Sequence, residues 1–378
     1  MSLALSTLIY EWRRYLAAVI ALAVAGLLVL AMTGMFMGMA LSFTATVDKS
    51  PAQILILPPQ AEGLFGDSGQ PRRMIPLVYQ HPGVVEVQPM IMNGAGWSNF
   101  PKDGQPPKAT YVNVVAVNPV KGAVTMPSDF SDATIEALQE PFAIIVDRTS
   151  LGKLGIKVGD KAKMNGRTVT VAGMVDGYPN MFNTQVFTSY QTAKLLYIAD
   201  DGPRVGPLLV KLKDPTKSKE VASELNAIGA GQFKAWTRED LSKSSQVGMM
   251  KEGGIAIMIG FMALVGVFIG IVITWQTLQG AIMANIKEFA SLRALGVSMG
   301  GLRLIIMELS FWVGIAGLLL TVVLVGGVAF LAKLGGVPMD FPLFLDIPVA
   351  IMLMVISVLS GLFSLGILKK SQPADLLR

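Results

Sequence analysis

Four long stretches without a single charged side chain, at residues 15–47, 253–286, 309–332 and 347–368, constrain this chain more than anything else in it. Each is at least as long as the roughly 20 apolar residues that cross a hydrocarbon core as a helix, and in lipid only a helix or a closed barrel satisfies its own backbone. A polar block of about 200 residues separates the first stretch from the second. The pattern predicts an α-helical membrane protein with four transmembrane helices and an α+β periplasmic domain between the first and second. Mean hydropathy of +0.55 and a charged fraction of 15%, against about a quarter in soluble domains, agree with that class. The first stretch is about twice the length of a signal-peptide core, so it reads as an uncleaved anchor.

Lysine and arginine placement sets the orientation. Arg13 and Arg14 precede the first span, Lys287, Arg293 and Arg303 lie between the second and third, and Lys369, Lys370 and Arg378 follow the fourth. Only Glu11, Glu288, Glu308 and Asp375 oppose them, whereas the short loop before the fourth span carries Lys333 against Asp340 and Asp346. The positive-inside rule therefore puts both termini and the 284–303 loop in the cytoplasm, residues 48–252 outside, and Trp12, Trp275 and Trp312 near the inner interface. The isoelectric point near 9.2 follows from this asymmetry, and no nucleic-acid partner is expected. The domain plan is a cytoplasmic segment with the first span (1–47), a periplasmic domain (48–252), and three spans with a cytoplasmic loop and tail (253–378).

With no cysteine, no disulfide holds the outer domain, and the single histidine, His81, gives no basis for a zinc site or a Ser-His-Asp triad. No catalytic, cofactor or metal residue is assigned on this chain. His81 sits in the turn-like Gln80-His81-Pro82-Gly83 and reads as a loop residue, and the methionines of the first span (Met32, Met35, Met37, Met39) as adaptable packing surface. In the outer block, Ile54–Leu57 is an apolar run stopped by Pro58-Pro59, residues 61–70 form a glycine-rich loop, and 111–117 alternates β-branched residues. Lys161–Met164 and Arg167–Val175 flank Asn165-Gly166, which suits the positive φ angles of a type I′ hairpin turn. Asp214 before Pro215 can start a helix whose buried stripe is Val221, Leu225 and Ile228, and Ser189 can cap another over 190–198.

Inside the cytoplasmic loop, residues 287–296 read as a short helix ended by Gly296, with Phe289, Leu292 and Leu295 as an apolar patch beside Lys287, Glu288 and Arg293. Ser298 can cap the helix that follows. Such a patch is either a docking element for a cytosolic partner or an interfacial helix on lipid headgroups, and the residues alone leave both open. Gly34-x-x-x-Gly38 in the first span and Gly266-x-x-x-Gly270 in the second allow close helix approach, within one subunit or at a seam between two copies.

The run Glu288-Phe289-Ala290-Ser291-Leu292-Arg293-Ala294-Leu295-Gly296 resembles the (R/P)E-(I/Y)-(A/G)-x-L-(R/K)-A-(L/M)-G segment of FtsX/MacB-like (type VII) ABC transporter permeases. Gln372-Pro373-Ala374-Asp375-Leu376-Leu377 is similar to their Pro-x-(E/D)-x-L tail, and Asp147-Arg148-Thr149-Ser150-Leu151-Gly152-Lys153-Leu154-Gly155-Ile156-Lys157-Val158-Gly159-Asp160, ahead of the hairpin, to their L-G-(I/V)-x-x-G-D segment. Residues 270–278 of the second span and the Arg72-Arg73 to Val78 region resemble the DevC subgroup, while Lys287 departs from the usual Arg or Pro. The resemblance implies that Lys287, Glu288, Phe289, Leu292, Arg293, Leu295 and Gly296 couple to a separate cytosolic ABC ATPase holding ATP and Mg. In keeping with this, Gly366-Ile367-Leu368-Lys369-Lys370-Ser371 lacks the second glycine of a Walker A loop. It also implies a homodimer of permeases in a bacterial inner membrane, surrounded by membrane lipids, with a periplasmic membrane-fusion adaptor and an outer-membrane duct. The expected function is a non-catalytic permease subunit that converts ATP hydrolysis into motion of its periplasmic domain, exporting a lipid, glycolipid or amphiphilic small molecule. The alternative is an FtsX-like regulator that activates a periplasmic cell-wall hydrolase.

Overall fold

A helix cannot end inside lipid without orphaning its backbone carbonyls, and the first long helix accordingly ends only where polar side chains return. The computed structural model describes residues 3–64, 69–101, 106–178, 184–199, 202–252, 254–284 and 297–368. A short helix α1 (Leu3–Tyr10) is followed by α2 (Trp12–Asp48), whose 37 residues make a rod of about 55 Å, longer than the ~30 Å hydrocarbon core. Then come β1 (Ile54–Leu57), β2 (Gln70–Pro71), α3 (Met74–Val78), β3 (Val84–Pro89), β4 (Ile91–Asn99), β5 (Ala109–Val117), α4 (Asp132–Ala137) and β6 (Ala143–Asp147). The polar block continues through α5 (Leu151–Leu154), β7 (Lys161–Met164), β8 (Arg167–Val175), β9 (Thr184–Ser189), α6 (Tyr190–Leu195), β10 (Arg204–Val205) and β11 (Leu208–Leu212). It closes with α7 (Ser218–Gly229), β12 (Lys234–Thr237) and α8 (Arg238–Glu252), ahead of α9 (Ile255–Ala284), α10 (Met299–Leu334) and α11 (Leu343–Leu368). Four of these helices, α2, α9, α10 and α11, are long and apolar enough to cross a bilayer.

Two compact units result, Met1–Gly38 with Gly254–Leu334 and Met339–Arg378, and Met39–Gly253 with Gly335–Pro338. Thus α2 starts in the helical unit and finishes in the polar one without a break. Helix α10 begins ahead of the uncharged stretch, so Arg303 and Glu308 are helical, and Ser298 Oγ accepts the Gly301 N–H at 3.2 Å as its cap. The helical unit packs Tyr15, Ala18, Leu22 and Ala25 of α2 against Leu278, Leu309, Val313, Leu353 and Ile356. Small residues allow that approach. A Cβ on Gly317 would meet Leu22 at 2.9 Å, one on Gly361 would collide with Ser310, and Ser357 Oγ donates to the Ser310 carbonyl at 2.6 Å.

The polar unit combines a four-stranded sheet ordered β12-β1-β11-β3 with a closed barrel ordered β4-β5-β9-β6-β8-β7. Every residue of Ile54–Leu57 is buried. Ile54 and Ile56 face the α3 and α7 side with Val221, Leu225 and Phe233, while Leu55 and Leu57 face the core formed with Val47, Met90 and Leu241. The barrel interior is filled by Trp97, Val112, Val114, Ile144, Val146, Met164, Val171 and Val186, so it is a packed core. Its β7–β8 hairpin turns on Asn165 (φ +47°) and Gly166 (φ +78°), as the Asn-Gly pair predicts. Asn165 also accepts the Gly96 N–H at 2.9 Å and donates to the Leu196 carbonyl at 3.0 Å, which ties the turn to β4 and to the end of α6.

Three local expectations need adjustment. Asp214 does cap, accepting the Thr216 N–H at 3.0 Å, but it opens a 3-10 turn (Pro215–Lys217) and α7 proper starts at Ser218. Ser189 caps α6 through the Thr192 N–H at 3.3 Å, yet the helix stops at Leu195 rather than 198 because Tyr197 adopts φ +57°. His81 is more than a loop residue. It is 8% exposed, its Nδ1 accepts the Gly83 N–H at 3.0 Å, and its Nε2 meets the Glu224 carboxylate at 2.5 Å, bracing the α3–β3 turn against α7.

The hairpin yields a direct test. Asn165→Val with Gly166→Val forces β-branched side chains into the left-handed region, at about 1–3 kcal/mol each. The thermal transition of the polar unit, followed in the full chain through the fluorescence of Trp97 with the other four tryptophans replaced by phenylalanine, should fall by several degrees; an unchanged melt would contradict the turn geometry.

Candidate functional site

The chain enters the polar unit through the end of α2 and leaves it through α8, and a polar seam joins the two. Thr44 Oγ1 donates to Asp48 Oδ2 at 2.7 Å, Ser242 Oγ of α8 donates to the same carboxylate oxygen at 3.2 Å, and Gln246 Nε2 donates to Ser242 Oγ at 3.3 Å. Helix α8 is itself capped by Thr237, whose Oγ1 accepts the Asp240 N–H at 3.2 Å. Its Ser245 Oγ accepts the Leu64 N–H at 3.0 Å, and Ser244 Oγ donates to the Glu62 carbonyl, so the loop after β1 rests on α8.

The residues just after α2 bind the barrel side. Lys49 Nζ pairs with Asp129 Oδ2 at 2.8 Å, donates to the Gly177 carbonyl at 2.9 Å, and sits 3.9 Å from the Tyr178 ring centroid. Tyr178 is fully buried against Phe130 and Phe187, and its hydroxyl donates to Asp129 Oδ1 at 2.6 Å. Burial first, then the Asp129 hydrogen bond, pushes that phenol far above its ordinary pKa, so it remains a donor. Asp147, also fully buried, accepts the Tyr178 N–H at 2.8 Å and the Thr149 N–H at 2.8 Å. Gln185 of β9 donates to Thr46 Oγ1 at 2.8 Å, and Ser50 Oγ donates to the Val124 carbonyl at 2.7 Å. The root of the unit is therefore a joint in which the end of α2 and the two residues after it grip both α8 and the barrel.

Beside this joint lies a cleft of about 480 Å³. Phe43 of α2, Leu64, Met90 and Met92 contribute apolar side chains to its lining, and Arg72, Arg204, Asn93 and Asn113 polar ones. Arg72 Nε donates to the Gly202 carbonyl at 3.1 Å and Arg204 to the Gly69 carbonyl at 2.7 Å. The floor is tightly built: the Met90 N–H donates to the Pro207 carbonyl at 2.7 Å, Tyr190 donates to the Pro89 carbonyl at 2.6 Å, and Gly206 lies so close to the Met90 carbonyl that a Cβ would collide with it. Among the described residues, no group of three His, Asp or Glu is placed to hold a metal ion.

The residues singled out from sequence are distributed differently. Lys287, Glu288, Phe289, Leu292, Arg293, Leu295 and Gly296 lie outside the described residues. A Cβ on Gly270 would meet the Ala25 Cβ at 3.1 Å and one on Gly266 the Val29 side chain at 3.6 Å, so this pair faces α2 of the same subunit. Gly34 accepts the Asp340 N–H at 2.9 Å and faces the Phe341 ring, with Gly38 one turn further along α2. Sequence reading had no access to the joint itself. Lys49, Asp129 and Tyr178 are polar or aromatic residues with no local spacing signal, and they meet only through the barrel.

Lys49→Met should preserve the fold while removing the ion pair and the cation–π contact, lowering the stability of the polar unit by about 1–2 kcal/mol. A denaturant melt of the full chain measures it, and a loss below a few tenths would demote Lys49 to a surface residue.

Comparison with known proteins places these features. The MacB-like periplasmic core domain matches residues 15–228 and the FtsX-like permease C-terminal domain matches residues 260–373. Among solved structures, the chain is similar to the periplasmic region of MacB from Actinobacillus actinomycetemcomitans, at 14% identity and TM-score 0.35, over 52% of this chain and 94% of that one. It is also similar to the extracellular domain of the ABC-type transporter YknZ from Gram-positive bacteria, at 15% identity and TM-score 0.32, over 49% and 100%. Comparison with curated protein sequences returns no match. The first domain alone spans more than half of the chain, and the second accounts for most of the remainder. Permeases of this kind are non-catalytic subunits of the bacterial inner membrane that carry a periplasmic domain and partner an ABC ATPase. With both domains matched in order and four membrane-length helices present, the chain belongs to the FtsX/MacB-like ABC transporter permeases.

Proposed function

We propose that this permease belongs to an ABC exporter in which ATP hydrolysis on a separate ATPase is converted into motion of the periplasmic unit. The observation that carries the reading is the unbroken α2, a stiff element common to both units, whose outer end is bonded to α8 and the barrel through Thr44, Thr46, Asp48 and Lys49. A rod fixed in this way passes a displacement of the spans directly to the periplasmic side.

In this reading both termini are cytoplasmic, and the loop carrying Phe289, Leu292 and Leu295 fills a groove on the ATPase, with Glu288 and Arg293 at the rim. Two permease copies pair in the membrane. Gly34, Gly266 and Gly270 are taken up by contacts within one subunit, so the seam between copies uses other span surfaces. A periplasmic adaptor and an outer-membrane duct complete the path for a lipid, glycolipid or amphiphilic small molecule. The resemblance of residues 270–278 to the DevC subgroup is what supports that substrate class.

Removing a buried interface anchor typically costs about 2 kcal/mol or more. Leu292→Asp should therefore lose at least about 90% of the cognate ATPase in a detergent pull-down, while Glu288→Ala and Arg293→Ala lose less. Undiminished recovery with normal ATP turnover would assign the loop to the lipid surface instead. Orientation is tested separately. A cysteine at exposed Lys219 should react with an impermeant maleimide in intact spheroplasts and one at Ser291 only after lysis. Labelling of Ser291 from outside would overturn the orientation and the docking loop together.

A further inference from the structure

We propose that His81 is a proton-operated latch: its ring holds the α3–β3 turn to α7 while Nδ1 is bare, and proton uptake at Nδ1 lets the turn go. The hydrogen-bond partners assign the tautomer. Nδ1 accepts the Gly83 N–H at 3.0 Å and so carries no hydrogen, and the hydrogen of the neutral ring sits on Nε2, which donates it to Glu224 Oε2 at 2.5 Å. Both nitrogens are thereby committed, in a residue that is 8% exposed. A further proton from solvent can go only to the Nδ1 lone pair. That sets two donors against each other and leaves the Gly83 N–H without its acceptor. Flipping the ring gives no relief, because both nitrogens of imidazolium are donors. The contact is also close, since a Cβ on Gly83 would lie 3.0 Å from Cε1 and 3.1 Å from Nδ1, so ring and turn have to part.

The surrounding charges decide which side keeps the ring. Glu224 of α7 pairs with imidazolium as readily as it accepts from the neutral ring, so the protonated ring stays with α7 and it is the turn that is released. The ring borders a pocket of about 210 Å³, whose charged lining is Glu220 and Glu224 from α7 and Lys213, Asp214 and Lys217 from the link between β11 and α7. On the α3 and β3 side the titratable side chains flanking the turn are Tyr79 and Glu86, which accept the Val87 and Val124 N–H groups. The turn is itself a junction. The His81 carbonyl accepts the Val84 N–H at 3.1 Å and the Gly83 carbonyl accepts the Lys213 N–H at 3.0 Å, so its release loosens the end of β11 from which α7 is reached. The regulatory meaning, a response to acidification on the outer side, rests on the periplasmic placement of this unit; the tautomer and its loss on protonation do not.

His81 is the single histidine of the chain, so nitrogen-15 histidine reports on this ring alone, and Pro82-Gly83 is its only Pro-Gly pair, so carbonyl-labelled proline with nitrogen-15 glycine selects the Gly83 amide. The full chain in lipid nanodiscs is titrated by NMR from about pH 8 to about pH 5, across the interval in which histidine changes charge. At the alkaline end Nδ1 should be bare and Nε2 protonated. On acidification the bare Nδ1 resonance should disappear, and in the same transition the protection of the Gly83 amide against hydrogen exchange, corrected for the intrinsic rate, should fall about tenfold or more. His81→Asn should keep Gly83 protected throughout, because its side-chain oxygen reaches the N–H two residues on and does not titrate. An Nδ1–H tautomer at the alkaline end, a ring still neutral at the acid end, a ring that titrates while Gly83 stays protected, or an equal fall in His81→Asn would each overturn the proposal. The measurement on the unmodified chain needs no variant and stays decisive if His81→Asn misfolds. It uses neither the ATPase nor the topology, so its failure leaves the Leu292→Asp pull-down and the Ser291 labelling standing.

Discussion

A backbone that crosses lipid has to satisfy its own N–H and C=O groups, and this requirement shapes everything that the polar unit can be attached to. Helix α2 cannot unwind until it is clear of the hydrocarbon, and its 37 residues carry it well past that point. The turn out of helix therefore falls at Asp48 to Ser50, in a polar setting that supplies partners to the released groups named next. The Lys49 N–H returns to the Ala45 carbonyl, the Ser50 N–H to the Val47 carbonyl, and the side chains of Asp48, Lys49 and Ser50 reach α8, the barrel and the Val124 carbonyl. A joint with so many simultaneous partners has few alternative arrangements, so it behaves as a fixed corner.

The spans are held by a different kind of contact. Lipid tails are as apolar as leucine, so burial of leucine supplies no net drive between helices there, and close van der Waals fit has to do it. Gly26 against Leu353 and Thr321 and Gly361 against Ser310 are places where backbone meets neighbour with no room for a side chain, and Gly270 against Ala25 is nearly as close. Ser310 and Ser357 add hydrogen bonds, Ser310 to its own helix and Ser357 across to α10. In membrane proteins such bonds contribute about 0.6 kcal/mol on average, so shape carries more of the stability than polarity does.

The parts that were legible in the amino-acid order are those whose physics is local. The spans follow from runs of uncharged residues, the β7–β8 hairpin from Asn165-Gly166, the α6 start from Ser189 and the turn ahead of α7 from Asp214, because a cap or a turn acts within four residues. Boundaries suffered where local rules compete. Asp214 bonds Thr216 and thereby favours a 3-10 turn first, and Tyr197 takes a left-handed conformation that periodicity does not signal. The barrel closure between β4 and β7 and the parallel β5–β9 pairing were illegible, since they join segments far apart in the chain with no register signal of their own. The same holds for the joint and the cleft. Lys49 meets Gly177 across 128 positions and Arg204 meets Gly69 across 135, and no spacing rule reaches that far.

Those two long-range features share one helix end. Phe43 lines the cleft, while Thr44 and Asp48 bond one another and, through Ser242, bond α8, all within the last two turns of α2. A helix resists bending over so short a length, so Phe43 cannot shift against the cleft floor without moving Asp48 against α8. The cleft lining at Phe43, the Thr44–Asp48 bond and the Ser242 contact to α8 are therefore placed by a single rigid turn of helix rather than by a chain of intermediate residues.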